Sequence, residues 1–92
     1  MKVSVEDLIV VIPKKQEGLI TGKQLSEMFG VEECTIRRII NEARASGIPI
    51  CSKRWGYYFS DECEDITATI QFLTHRINTQ LQAIEGLKKK IH

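Results

Sequence analysis

The sequence predicts a mainly α fold with a small β-hairpin, an α+β head that continues into a long C-terminal coiled-coil helix. Three observations carry this reading. Apolar residues recur at three- and four-residue spacing in three short segments, each closed by a glycine or a proline. The stretch CSKRWGYYFS gathers the only tryptophan, both tyrosines and one of three phenylalanines around a Lys-Arg-Trp-Gly turn, as strand-forming residues flanking a tight hairpin would. Residues 61–92 hold no proline, a single glycine (Gly86) and an apolar stripe along their whole length. Residues 1–60 therefore read as the head and residues 61–92 as a C-terminal self-associating helix.

The elements follow in chain order. In SVEDLIVVIP, Val5, Leu8, Ile9 and Ile12 match the i, i+3, i+4, i+7 template, and Ser4 with Asp7 forms a capping box. Pro13 disfavours helical geometry at Ile12 and ends the helix there. The β-branched run VVI also suits a strand. KKQEG is a polar loop, with Leu19 and Ile20 a very short strand after it. Thr21 caps a second helix, GKQLSEMF, whose Leu25, Met28 and Phe29 share a face, and Gly30 stops it by accepting left-handed geometry. A third helix runs from about Glu33 to Ala45 with Ile36, Ile39, Ile40 and Ala43 inward and Arg37, Arg38, Asn41 and Arg44 outward. Gly47 and Pro49 close it, IPICS forms a strand, Gly56 makes the turn tight, and GYYFS returns. Alternation puts Tyr57 and Phe59 on one face of the hairpin and Tyr58 on the other.

Composition excludes several function classes. At 92 residues, 42% hydrophobic and 27% charged, the chain fits one small globular domain with an appendage. The N-terminal segment mixes acids with a short apolar run, which fits neither a signal peptide nor a membrane span, so a cytoplasmic location with no membrane partner is expected. Cys34, Cys51 and Cys63 lack zinc spacing and read as free thiols, and His75 and His92 have no companions. No nucleophile-base constellation or glycine-rich phosphate loop is present. No enzyme activity, metal, cofactor or small-molecule ligand is expected.

The spacing across the second and third helices, Leu25, Ser26, Phe29, Gly30, Val31, Ile36 and Ile39, resembles a helix-turn-helix, in which the second helix is held outward to enter a major groove. With the flanking helix and hairpin, residues 4 to 60 look like the winged helix-turn-helix family. The match is closest to the N-terminal domains of the biotin operon repressor and related regulators, whose G-x-P-I, basic turn and G-Y-Y pattern is similar to SGIPICSKRWGYYFS. Small prophage-encoded winged-helix proteins with an acidic, then coiled, tail are a weaker resemblance.

Carried onto this chain, the resemblance implies double-stranded DNA as partner. Glu33, Cys34, Arg37, Arg38 and Asn41 would face the groove. Arginine pairs bidentately with guanine, asparagine with adenine, and Glu33 accepts from cytosine. Lys23, Gln24 and Thr35 would meet phosphates, Arg44 lies on the same helix face, and Lys53, Arg54 and Trp55 form the tip of the wing. Glu32 and Glu33 depart from the family pattern, in which serine usually caps this helix. Taken alone, Arg37, Arg38 and Arg44 read better as a solvated helix face, and it is the turn spacing and the basic hairpin that favour nucleic acid. A rival reading is a winged helix that assembles through its tail without binding DNA, and the two acids favour it.

In the tail, Ile66, Ile70, Leu73, Ile77, Leu81, Ile84, Leu87 and Ile91 are spaced 4, 3, 4, 4, 3, 3 and 4 residues apart, a coiled-coil seam with a stutter at the consecutive fours. The base, near Phe72 and Leu73, can pack on the head. The rest extends beyond so small a domain and predicts a homodimer, whose two heads would read a near-palindromic site as a regulator of transcription or of a mobile element such as a prophage.

Overall fold

In the computed structural model, residues 3–54 and 56–91 are described. The order is α1 (Val5–Val11), a single 3-10 turn (Lys15–Glu17), β1 (Ile20–Thr21), α2 (Gly22–Phe29), α3 (Glu33–Ala45), β2 (Ile50–Lys53), β3 (Gly56–Phe59) and α4 (Cys63–Lys88). The fold is mainly helical, with a three-stranded antiparallel sheet in the order β1-β3-β2.

Local chemistry sets the helix ends. The Ser4 hydroxyl accepts from the Asp7 amide at 3.3 Å while the Asp7 carboxylate accepts from the Ser4 amide at 2.9 Å, completing the box that starts α1. Ile12, next to Pro13, is already extended at φ −74 and ψ 125. Thr21 and Gln24 form the same reciprocal cap on α2. Gly30 then adopts φ 66, ψ 34, and the amides of Gly30 and Val31 both donate to the Ser26 carbonyl. The Ser26 hydroxyl donates to the Val31 carbonyl, so one small residue ties both sides of the turn together.

The core lies where α1, α2 and α3 meet the sheet. Leu8, Ile12, Leu25, Ile36, Ile39, Ile40, Ala43 and Ile50 form one buried cluster, with Phe29, Val31, Tyr57 and Phe59 packed on it. Met28 does not join them. It is 54% exposed, because α3 and β1 cover only the Leu25 side of the short helix α2.

Both faces of the hairpin are used. Tyr57 and Phe59 meet the helical core, while Tyr58 and its cross-strand partner Cys51 are buried on the other face. Lys53 pairs with Gly56, leaving a two-residue connection in which Arg54 takes φ 59. Arg54 thus takes the left-handed turn geometry, and the expectation that Gly56 makes the turn is corrected, since Gly56 already lies in β3. Gly56 is glycine because a Cβ there would lie 2.6 Å from the Leu19 Cβ.

The base of α4 is tied to the head. Thr69, the one buried residue of α4 among those described, accepts from the Ser52 amide at 3.2 Å and so satisfies an outward N–H of edge strand β2. Asp65 accepts from the Ser60 hydroxyl at 2.6 Å and the Tyr58 hydroxyl at 3.2 Å, and it pairs with Lys15 at 3.0 Å. Lys15 also bridges to Glu62. Two acids at the start of this helix, Glu62 and Asp65, thus anchor it to the 3-10 turn.

The Ser60 hydroxyl and then the Lys15 ammonium hold the Asp65 carboxyl well below the usual carboxylate range. A carboxylate depressed in the folded state stabilises it fully above the unfolded value, near pH 4, and less as pH falls toward the folded value. Thermal melts should therefore show Tm falling on acidification below about pH 5, and Asp65→Asn should have a lower Tm at pH 7 with a flatter acid limb. A variant with the wild-type acid limb would refute this assignment.

Candidate nucleic-acid interface

The candidate surface is built outward from α3. Its inward stripe, Ile36, Ile39, Ile40 and Ala43, is locked in the core, and a 3.6-residue period then forces Arg37, Arg38 and Asn41 to solvent. These three line one open cleft together with Lys23 on α2, Glu33 and Cys34 at the start of α3, and Arg54 at the wing. Lys23, Arg37, Arg38, Lys53 and Arg54 are all exposed, and none makes an ion pair among the described residues. Their charges face solvent uncompensated, the electrostatic condition for meeting a polyanion.

The remaining sequence-predicted residues are placed differently. Gln24 is exposed, but its side-chain oxygen caps α2 by accepting from the Thr21 amide at 2.8 Å. Thr35 is half-buried and Lys53 exposed, and neither lines the cleft. Trp55, expected at the tip of the wing, lies outside the described residues.

Arg44 stands apart from the other arginines. Its Nε donates to the Ile50 carbonyl at 2.8 Å, a terminal nitrogen donates to the Ser52 hydroxyl at 2.6 Å, and the guanidinium lies 5.8 Å from the Tyr57 ring centroid. It is a strut from α3 to the edge of β2, and it lines the cleft mainly as fixed positive charge. Burial is the first cause that lowers its proton affinity.

The acids that break the family pattern also have places. Glu32 precedes α3 without a side-chain cap bond, and its carboxylate accepts from the Cys34 thiol at 3.4 Å. One Glu33 carboxylate oxygen comes within 3.6 Å of where a Cβ on Gly22 would stand, beside the N-terminus of α2. The partial positive charge of that terminus offsets the carboxylate. Cys34 and Cys63 are free and exposed, and Cys51 is free and buried.

The cleft wall also includes polar residues of α4 that were not expected from sequence, Arg76 and Gln80. Arg76 is the only lysine or arginine between Arg54 and Lys88. That isolation is the one sequence signal that could have marked it, but only the docking of α4 shows what it faces. Among the described residues, no three of His, Cys, Asp and Glu come together as metal ligands, and no helix is long and apolar enough to cross a membrane.

Comparison with known proteins agrees with this architecture. A family model described as an HTH domain matches residues 5–58, which spans α1 through nearly the whole of β3. Neither the curated proteins nor the solved structures give a significant match. The match covers more than half of the chain and contains the capped α2, the glycine turn, the outward face of α3 and the hairpin. The chain therefore belongs to the HTH domain family, with residues 5–58 forming a helix-turn-helix DNA-binding domain.

Proposed function

We propose that the protein is a sequence-specific, dimeric regulator that reads duplex DNA in the cytoplasm with α3 and its wing, controlling transcription or the life cycle of a mobile element such as a prophage. The observation that carries this is the set of unpaired cations Lys23, Arg37, Arg38 and Arg54 converging on the outward face of α3. In this reading Arg37, Arg38 and Asn41 contact base edges, while Lys23, Lys53 and Arg54 contact phosphates.

The dimer reading rests on α4. Beyond its anchored base, Ile77, Leu81, Ile84 and Leu87 are 57%, 53%, 47% and 69% exposed on one continuous helix. Isolated exposed apolar residues are ordinary, but a stripe of them at helical spacing calls for a covering surface. A second α4 supplies one of matching length and chemistry, as in a coiled coil. Ile66 and Leu73 are half-buried toward the head, Ile70 is exposed, and Ile91 follows the end of α4, so the pairing segment is centred on Ile77–Leu87.

The direct test is a fluorescence titration of labelled DNA duplexes at several salt concentrations. Binding should weaken steeply as salt rises, and Arg38→Ala should lower affinity and sequence discrimination, by about 1–3 kcal/mol if Arg38 pairs with a guanine. Absence of binding at low salt would overturn the proposal.

A further inference from the structure

The helix that follows the HTH domain does not leave it cleanly. From its anchor at Thr69, α4 runs past the open edge of β2 and forms the far wall of the cleft whose near wall is the outward face of α3. The cleft measures about 1310 Å³, above the roughly 300–1,000 Å³ that encloses a small ligand, and it is open to solvent. Its size and openness suit a polymer strand better than a metabolite.

The charge in the cleft has a sign and a location. The α3 wall and the wing supply Arg37, Arg38 and Arg54, and the α4 wall supplies Arg76. The Arg76 guanidinium lies 5.7 Å from the Phe72 ring centroid, an intrahelical support one turn back, and makes no ion pair among the described residues. Arg44, held by Ile50 and Ser52, lines the same cleft, and after burial the Arg76 charge also lowers its proton affinity. Two guanidinium groups therefore repel each other with no carboxylate bonded to either. The carboxylates in the cleft are Glu33, beside the N-terminus of α2, and Glu42, and neither is ion-paired with them. An anion bound in the cleft would be attracted by both cations.

We propose that α4 is a working part of the DNA-binding surface, with Arg76 contacting a backbone phosphate that flanks the groove entered by α3 and Gln80, one turn further along the same face, bonding an oxygen of the same backbone. This rests on the reading that α3 binds DNA. It adds that the clamp has two walls, the second lying outside the residues that define the HTH domain. Ile77 of the seam lines the cleft, whereas Leu81 and Ile84 lie beyond it and stay free to pair while Arg76 meets DNA. A phosphate contact positions the head without reading sequence, so its loss should act equally on all duplexes.

The test compares wild type, Arg76→Ala, Arg76→Lys and Arg38→Ala by anisotropy titration of a fluorescein-labelled random-sequence DNA duplex across salt, with light scattering of each protein. Arg76→Ala should reduce the log-log salt slope by about 1, so that the affinity ratio of wild type to variant falls about three- to four-fold between 50 and 200 mM salt. Arg76→Lys should restore the slope, and the mass in solution should not change. An unchanged slope in Arg76→Ala beside a weakened Arg38→Ala would overturn the role of α4 and leave the α3 reading intact. Loss of wild-type binding at low salt would overturn both. A reduced mass for Arg76→Ala would assign the residue to association and overturn the phosphate contact.

Discussion

Replacing Leu81 and Ile84 together by glutamate should convert the protein to a monomer whose head is unaltered. Both side chains are exposed and lie beyond the part of α4 that touches the head, so the substitution removes nothing the folded chain uses. Glutamate is also a good helix former, so α4 itself should persist. In a paired helix each side chain would bury about 1.5–3 kcal/mol of apolar surface per chain, and four carboxylates facing one another would add repulsion. Light scattering should therefore read half the wild-type mass, with an unchanged helical signal. On a near-palindromic site the loss of linkage should weaken binding by about 10²–10⁴-fold, while each head keeps its own affinity for a half-site. An unchanged mass would sink the proposal that α4 is the dimer seam.

Gly56→Val should destabilise the head and disturb the wing. The strand β3 is the central one, and at Gly56 it passes so close to Leu19 that an added Cβ would stand 2.6 Å from the Leu19 Cβ and 3.1 Å from its Cδ1. The nearer atom is fixed to the backbone and cannot rotate away, so β1 must move, and overpacking of this kind costs about 1–3 kcal/mol. In a domain of this size that lowers Tm by about 4–8 °C for each kcal/mol. The displacement would not stay local. Gly56 pairs with Thr21, which caps α2, and with Lys53, which precedes Arg54. The variant should therefore lose DNA affinity at temperatures where it is still folded. A melting temperature equal to wild type would show that Leu19 has room to give.

Much of the head was legible because its determinants are local. A Ser-x-x-Asp cap, a proline after Ile12, and a glycine three residues before Glu33 act within a turn or two of chain, and each does in the structure what its chemistry dictates. The inward stripe of α3 was equally readable, since the helical period alone sorts its residues into two faces. Periodicity failed at Met28, which shares a helix face with Leu25 but has no neighbouring element to cover it. It also could not separate Arg44 from Arg37 and Arg38. All three point away from the apolar stripe, but only Arg44 stands beside the edge of β2, where a backbone carbonyl and a hydroxyl take its donors.

By itself, then, the sequence determined which segments are helix and strand, where α2 turns into α3, and which face of α3 is polar, because spacing, caps and turn residues act between near neighbours. The tertiary structure alone decided that Gly56 makes room for Leu19, that Asp65 anchors α4 to Lys15, Tyr58 and Ser60, and that Arg76 lines one cleft with the outward face of α3. Each of these joins residues far apart in the chain or on separately folded elements. Such a pairing depends on the angle at which one packed element crosses another, and no local periodicity encodes that angle.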